Sequence, residues 1–255
     1  MARFLKHVGC DRCGSSDGKA IYSDGGSFCF VCRIPNGAKI SPYVTQQNAE
    51  EMLVKAVCYP SDVTRNYSEG ALAWCKKYEI TVEQLLKETI YYSAARDQII
   101  FGFEADGKLL AYQARNLNPV SKGKRYYTCG DVNELLPIYH CRHSVPGTIN
   151  SRRLVLVEDC LSAIKVSYLG ADSTDKQPLG CDSMPLLGSG ISRTKLSRLK
   201  PFYDVLDVFL DPDMWHKSLN IVHQAQLLGL QARPIQADKD PKELSYRELD
   251  SLLRM

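Results

Sequence analysis

Three short apolar runs, each closed by acidic residues and each followed by a helix-like segment, limit what this chain can fold into. RRLVLVEDCLSAIKVSYLG, residues 152–170, ends its leucine and valine run at Glu158 and Asp159. DVFLDPDMWHKS, residues 207–218, ends one at Asp211 and Asp213, and QARPIQADKDPKEL, residues 231–244, leads to Asp238, Asp240 and Glu243. Strands alternating with helices predict a mostly parallel α/β sheet, and the carboxyl ends of such strands are where sites are built. Acids gathered on one rim repel one another unless a divalent cation lies among them. Hard oxygen ligands favour Mg²⁺ or Mn²⁺ over zinc. Glu158, Asp211 and Asp213 are therefore the expected catalytic carboxylates and magnesium ligands, with Asp240 contributing. Asp211 and Asp213 are two positions apart, so on an extended chain they face the same side, with Pro212 stiffening the turn. The same alternation predicts that Asp159 points away from Glu158.

The N-terminal segment obeys a different rule. Cys10-Asp-Arg-Cys13 and Cys29-Phe-Val-Cys32 are two C-x-x-C pairs with 15 residues between them. Thiolates at this spacing close a tetrahedron around a structural Zn²⁺ and leave no position for water. KAIYSDGGSFCF, between the pairs, reads as a hairpin: residues 20–23, the turn Asp24-Gly25-Gly26, then residues 27–31. This predicts a small antiparallel zinc ribbon over residues 1–36. A segment of about 30 residues buries too little apolar surface to fold alone, so the metal holds it. Residues 37–46 show no period and read as a linker.

Residues 47–150 read as the first part of a mixed α/β domain, and residues 151–255 as the second. Apolar positions 49, 52, 53, 56 and 57 predict a helix. Ser68 is the expected N-cap of SEGALAWCKKY, and Thr81 with Gln84 the capping box of VEQLLKET. DQIIFGFEADGKLLAYQARNL reads as two strands around an Asp106-Gly107 turn. Arg115, Lys122, Lys124 and Arg125, followed by Tyr126 and Tyr127, suit phosphate binding combined with base stacking. His140, Cys141 and His143 lie too close in sequence to complete a tetrahedron and read as an ordinary loop. Gly188-Ser189-Gly190 opens a helix but lacks the Gly-Lys-Ser/Thr of a Walker loop.

Composition bounds the partners. A net charge of +3 does not announce a nucleic-acid binder, so any basic surface must be local. No apolar run of 18 residues predicts a transmembrane helix, and the N-terminus has no secretory h-region. Of ten cysteines, four sit in metal spacing and the rest are scattered, which fits a reducing cytoplasm.

The order Glu158, then Asp211-Pro-Asp213, then Lys239-Asp240-Pro241-Lys242-Glu243, on successive β–α units, resembles the TOPRIM domain of primases, topoisomerases and some nucleases. KDPKEL and PLLGSG look most like primases. CDRCGSSDG and YSDGGSFCFVC resemble the zinc-binding module of phage primases, and ARDQIIFGFEADGKLLAYQARNL resembles the primase segment that precedes TOPRIM. The resemblance covers essentially the whole chain. It implies a phage-type DNA primase: a zinc ribbon linked to a mixed α/β primase domain that ends in a TOPRIM sheet. Such an enzyme makes short RNA primers from ribonucleoside triphosphates on single-stranded DNA for phage replication. The resemblance further implies Tyr22, Phe28 and Phe30 as template-stacking groups, with Arg12, Lys19 and Arg33 for phosphate. It assigns Arg115 and Arg125 to triphosphate and template, and Lys122 and Lys124 to catalysis. With no Walker motif here, a replicative helicase is expected as a separate partner, beside a DNA polymerase, in the host cytoplasm and away from membranes.

Some positions depart from the pattern. The usual first TOPRIM motif has glycine after the glutamate, where this chain has Asp159; Ser162 stands where an acid often occurs. The histidine that several phage relatives use to read template is replaced by the stretch Asp24-Gly25-Gly26-Ser27, so their recognition trinucleotide does not carry over. Two other classes fit parts of the chain. A metal-dependent nuclease would use the same carboxylates but needs no template-reading ribbon. A non-catalytic adaptor would keep the ribbon and a silent TOPRIM fold, favoured by the missing glycine at 159. A topoisomerase would need a longer chain with a strand-passing tyrosine domain. Template-dependent ribonucleotide incorporation separates primase from the others.

Overall fold

The structure, a computed structural model, describes residues 4–11, 13–23, 25–31, 35–36, 57–118, 125–132, 135–141, 152–169, 181–188 and 190–254. Two compact units divide the chain, Met1–Ala56 and Val57–Met255. The expected linker at 37–46 and nearly all of the helix expected around 47–57 lie outside the described residues.

The first unit is an antiparallel sheet of β1 (Phe4–Val8), β2 (Lys19–Tyr22), β3 (Ser27–Cys29) and β4 (Pro35–Asn36), in that order. The expected hairpin is β2–β3. Gly25, at φ 80°, supplies the left-handed backbone of its turn. Both outer strands are additions to that hairpin. Four of the five residues of β1 are exposed, so it lacks the apolar alternation that marks a half-buried strand. β4 is an edge strand, where a proline is tolerated.

The second unit begins with a five-stranded antiparallel sheet in sequence order: β5 (Val63–Thr64), β6 (Ile90–Ser93), β7 (Gln98–Ala105), β8 (Lys108–Asn116) and β9 (Tyr126–Gly130). The β7–β8 turn has Asp106 at φ 51° and Gly107 at φ 72°, the paired positive values of a tight hairpin turn. Helix α1 (Glu69–Lys77) is capped by Ser68 Oγ, which accepts from Ala71 N at 3.2 Å. Helix α2 (Val82–Lys87) carries the expected capping box, Gln84 N to Thr81 Oγ1 at 3.2 Å and Thr81 N to Gln84 Oε1 at 2.8 Å.

The C-terminal half is the expected parallel sheet. Strands β10 (Arg153–Val157), β11 (Asp182–Pro185), β12 (Val205–Val208) and β13 (Gln231–Pro234) lie in the order β11-β10-β12-β13, every pair parallel. They alternate with α3 (Cys160–Ser167), α4 (Arg193–Leu199), α5 (Trp215–Leu227) and α6 (Tyr246–Arg254). Successive side chains along each strand point to opposite faces. Leu154, Leu156, Leu206 and Val208 pack with Leu196 and Ile221 on one side. Val155 and Val157 pack with Ala163, Val166, Leu249 and Leu253 on the other. Each such buried side chain contributes about 1.5–3 kcal/mol.

Helix α3 is buried along its whole length, as expected of a helix apolar on most faces. Its Leu161 and Ile164 join a third cluster with Leu85, Ile90, Ile99 and Phe101, which welds the two sheets together. Its one cation, Lys165, is buried and donates to Glu79 at 3.0 Å and to the Lys242 carbonyl at 3.1 Å. The helix starts at Cys160 because Asp159 caps it: Asp159 Oδ1 accepts from the Ser162 N–H at 2.9 Å. Further along the sheet, Asp207 is fully buried between Arg153 Nε, at 2.6 Å, and Arg233 Nε, at 2.7 Å. Both guanidiniums also donate to the Leu253 carbonyl, tying three strands to the end of α6. No helix among the described residues is long and apolar enough to cross a membrane.

Candidate active site and metal centre

In the first unit, a turn after β1 brings Cys10 and Cys13 together; Gly14 N donates to Cys10 O at 2.9 Å. Cys29 arrives at the end of β3. The three sulfurs lie within 4.8 Å of one another, with Cys13 and Cys29 at 3.7 Å. Zn–S bonds of about 2.3 Å in a tetrahedron give S···S edges of roughly 3.8 Å, so these thiols fit the metal. None of the nine described cysteines is in a disulfide, which leaves metal rather than oxidation to staple the ribbon. Cys32, the expected fourth ligand, and Arg12 and Arg33 lie outside the described residues.

Strand pairing sorts the expected template groups by face. Ala20 pairs with Phe28 and Phe4 with Tyr22, so Tyr22 and Phe28 share one face. Phe28 packs edge-on to Phe30 at 5.1 Å, and the His7 ring stands 6.1 Å from Phe30. Phe30 is 57% exposed. His7 and Phe4 extend this aromatic row, and neither was expected, because β1 was not. Lys19 pairs with Cys29 and therefore occupies the other, metal-bearing face. There it lies 3.4 Å from the Asp11 carboxylate.

In the second unit, a cavity of about 540 Å³ opens at the carboxyl ends of the parallel strands, against β8 and β9. It collects Glu158 after β10, Asp211 after β12 and Asp240 after β13, together with Arg115 on β8 and Arg125 beside β9. Three of the four expected carboxylates, and both Arg115 and Arg125, thus come to one place. Lys122 and Lys124 lie outside the described residues.

Two expectations about side-chain direction fail, for one reason: the acids lie beyond the strands. β10 ends at Val157, so strand alternation does not govern Glu158 and Asp159, and both line the cavity. β12 ends at Val208, and Pro212–Met214 form a 3-10 turn. Asp211 therefore faces the cavity while Asp213 is exposed on the turn. Asp213 remains near enough for its charge to act on Glu158.

Among the described residues, four buried side-chain polar atoms lack a hydrogen-bond partner: Arg115 Nε, Glu158 Oε2, Asp211 Oδ1 and Ser162 Oγ. The first three belong to residues lining this cavity. Buried polar groups are normally paired, so such a concentration marks a place for a ligand. Burial pushes the Asp211 carboxyl up to about 7, with Asp240, Glu158 and Asp159 adding repulsion and Lys242 opposing. Burial also raises Glu158, against the pull of Lys217. Two oxygen donors that resist ionisation in isolation fit a hard divalent cation, which supplies the missing charge.

Lys242, Lys217 and Trp74 also line the cavity and were not expected there. Lys242 donates to Asp159 Oδ2 at 2.9 Å and to Asp240 Oδ2 at 2.7 Å. Lys217, one turn into α5, lines the cavity and reaches the Gly188 carbonyl at 3.4 Å. The Arg115 guanidinium sits 4.8 Å from the Tyr126 ring and 5.5 Å from that of Trp74. Tyr126 was expected as a stacking group; Trp74, on α1, was not. A hint existed in KDPKEL, where a lysine interrupts an acidic motif. His140 lies 3.1 Å from Asp182, and His143 lies outside the described residues.

No protein-family model matches the chain. A DNA helicase/primase of Enterobacteria phage T3 is 59% identical over 34 residues, which are 12% of this chain and 6% of that protein. The chain thus spans a small fraction of that relative's length. The primase fragment of the bacteriophage T7 primase-helicase superposes with a TM-score of 0.46 and 19% identity, over 99% of this chain and 98% of that one. The zinc-binding and RNA polymerase domains of Aquifex aeolicus primase superpose with a TM-score of 0.54 at 12% identity, over 99% of this chain and 79% of the other. The fold of this chain is therefore the one found in the zinc-binding and RNA polymerase domains of a bacterial DNA primase.

Proposed function

We propose that this chain is a DNA primase, which joins ribonucleoside triphosphates into a short RNA primer on single-stranded DNA. The observation that carries this reading is the pair of partnerless buried oxygens, Glu158 Oε2 and Asp211 Oδ1, at strand ends in a cleft that also holds Arg115, Arg125 and Lys217. Glu158 and Asp211, with Asp213 nearby, would hold Mg²⁺ or Mn²⁺, which would supply charge to lower the pKa of an attacking 3′-hydroxyl and to neutralise pyrophosphate. The chain's own cations orient the triphosphate. Arg115 is fixed by its two aromatic neighbours and offers an unused Nε–H to phosphate. Arg125 is exposed at the mouth, and Lys122 and Lys124 precede it in sequence. Tyr126 and Trp74 supply flat faces for bases.

The ribbon, residues 1–36, is assigned to the template: zinc on Cys10, Cys13, Cys29 and Cys32 holds a sheet whose Tyr22, Phe28 and Phe30 stack on bases. Lys19 serves backbone phosphate from the opposite face. Residues 37–46 tether it to the catalytic parts, residues 47–150 and 151–255, the last a TOPRIM sheet. A tether raises the effective concentration of template at the cleft. A replicative helicase and a DNA polymerase complete the machinery in the host cytoplasm. The test is incorporation of ribonucleotides by the zinc-loaded protein on a mixed single-stranded template library. Short template-dependent RNA is expected, lost about a hundredfold or more in Glu158→Gln. Absence of RNA product with either metal would overturn the reading, and template degradation would favour the nuclease.

A further inference from the structure

The carboxylates of the cleft fall into two sets. Glu158 Oε2 and Asp211 Oδ1 have no partner. Asp159 and Asp240 share one partner, the Lys242 ammonium. Long lysines usually let the charged end reach water, but this side chain is only 11% exposed. Its backbone is pinned as well, because Pro241 precedes it and its carbonyl accepts from buried Lys165 at 3.1 Å. Burial alone would lower its pKa, yet Asp159, Asp240 and Asp211 hold the ammonium above the ordinary lysine range. A cation bridging two carboxylates takes the oxygen ligands and supplies the charge that a metal ion would need there. The cleft's charges agree. Among the described residues, Glu158, Asp159, Asp211, Asp240 and Glu243 line the cleft with Arg115, Arg125, Lys217 and Lys242, one negative charge in excess, which a single divalent ion more than offsets.

We propose that Lys242 is a resident cation standing in for a second divalent ion, so that the site takes one ion, at Glu158 and Asp211, rather than a pair. The inference rests on the reading of those two residues as metal ligands. Lys242 acts as a positioning residue: it holds Asp159 and Asp240 away from the ion and keeps the Lys239–Glu243 loop against α3.

The test counts ions rather than turnover. The zinc-loaded full chain is titrated with Mn²⁺, and unbound Mn²⁺ is followed by electron paramagnetic resonance. The native chain should bind one ion per molecule. Lys242→Gln frees Asp159 and Asp240 and should bind two, whereas Lys242→Arg keeps the cation and should bind one. If Lys242→Gln does not fold, the double variant Asp159→Asn with Lys242→Gln replaces the ion pair by a neutral hydrogen bond. It leaves Asp240 to the metal and should also gain an ion. One ion in both the native chain and the folded variant overturns the inference while leaving the proposed function standing. Two ions in the native chain overturn it as well. No ion in either overturns the metal reading and the inference together.

Discussion

Asp211→Asn is expected to make the protein more stable and less active. The Asp211 carboxyl is displaced from its ordinary 3.8 to about 7, burial being the largest cause. Taken in full, that displacement represents roughly 4 kcal/mol against the ionised folded state. The side chain is only half-buried, and solvent screening reduces the figure to about 1–2 kcal/mol. The sign follows from the raised folded value. Below about pH 4 the carboxyl is protonated in both folded and unfolded chains and costs nothing. As pH rises, the unfolded chain ionises first, and the penalty grows until the folded carboxyl also ionises near pH 7. Asparagine, of the same shape and uncharged, escapes it. Without added Mg²⁺, the zinc-loaded variant should therefore melt about 2–8 °C above the native protein at pH 8, given roughly 2–4 °C per kcal/mol in a domain of this size. The gap should close as pH falls towards 4. Saturating Mg²⁺ should reverse the order, because the ion binds the native carboxylate, while primer synthesis by the variant stays about a hundredfold down. Melting followed by circular dichroism between pH 4 and 8.5 decides it. A variant that melts lower at pH 8 without Mg²⁺, or a gap independent of pH, would refute the reasoning.

Other substitutions test separate parts of the structure. Asp207→Ala strands the Arg153 and Arg233 guanidiniums beneath α6 and should cost about 3–5 kcal/mol, read as a melting point lower by roughly 6–20 °C; a fall under 2 °C would mean water reaches the pair. Cys29→Ser should lose stoichiometric zinc by metal analysis and lose initiation on template, yet still extend a supplied dinucleotide; equal loss of both activities would count against a ribbon devoted to template. Arg115→Lys keeps the charge but loses the planar fork between Trp74 and Tyr126, so KM for nucleotides should rise about tenfold with little change in melting temperature. An unchanged KM would remove Arg115 from the triphosphate site.

The parallel sheet was readable in the sequence because three of its four strands are short apolar runs followed by acids, and helices α1 and α2, outside that sheet, were readable because Ser68 and Thr81 cap them within four residues. The same locality explains the cysteine pairs and the Asp106-Gly107 turn. What escaped depends on contacts distant in sequence. Lys242 meets Asp159 across 83 positions, and nothing near either residue announces the other. Trp74 enters the cleft from a helix whose own pattern says only that one face is apolar. Asp159 and Asp213 were misdirected because strand periodicity was carried past the last strand residue, where a helix cap and a 3-10 turn set the directions instead. β1 was missed because an exposed strand has no buried face to pattern.

The chain contains two tryptophans, Trp74 and Trp215. Trp74 lines the cleft, with the Tyr78 ring 5.3 Å away and the Arg115 guanidinium over its face. Indole emission is sensitive to a charge at that distance, so the protein carries its own optical gauge of whether the cleft is filled. Trp215→Phe leaves a single emitter beside the reacting groups. Any anion that draws Arg115 off the indole changes its brightness before a bond is made. Rapid mixing with a non-hydrolysable triphosphate then times arrival alone, and the same trace with a true substrate times arrival followed by release.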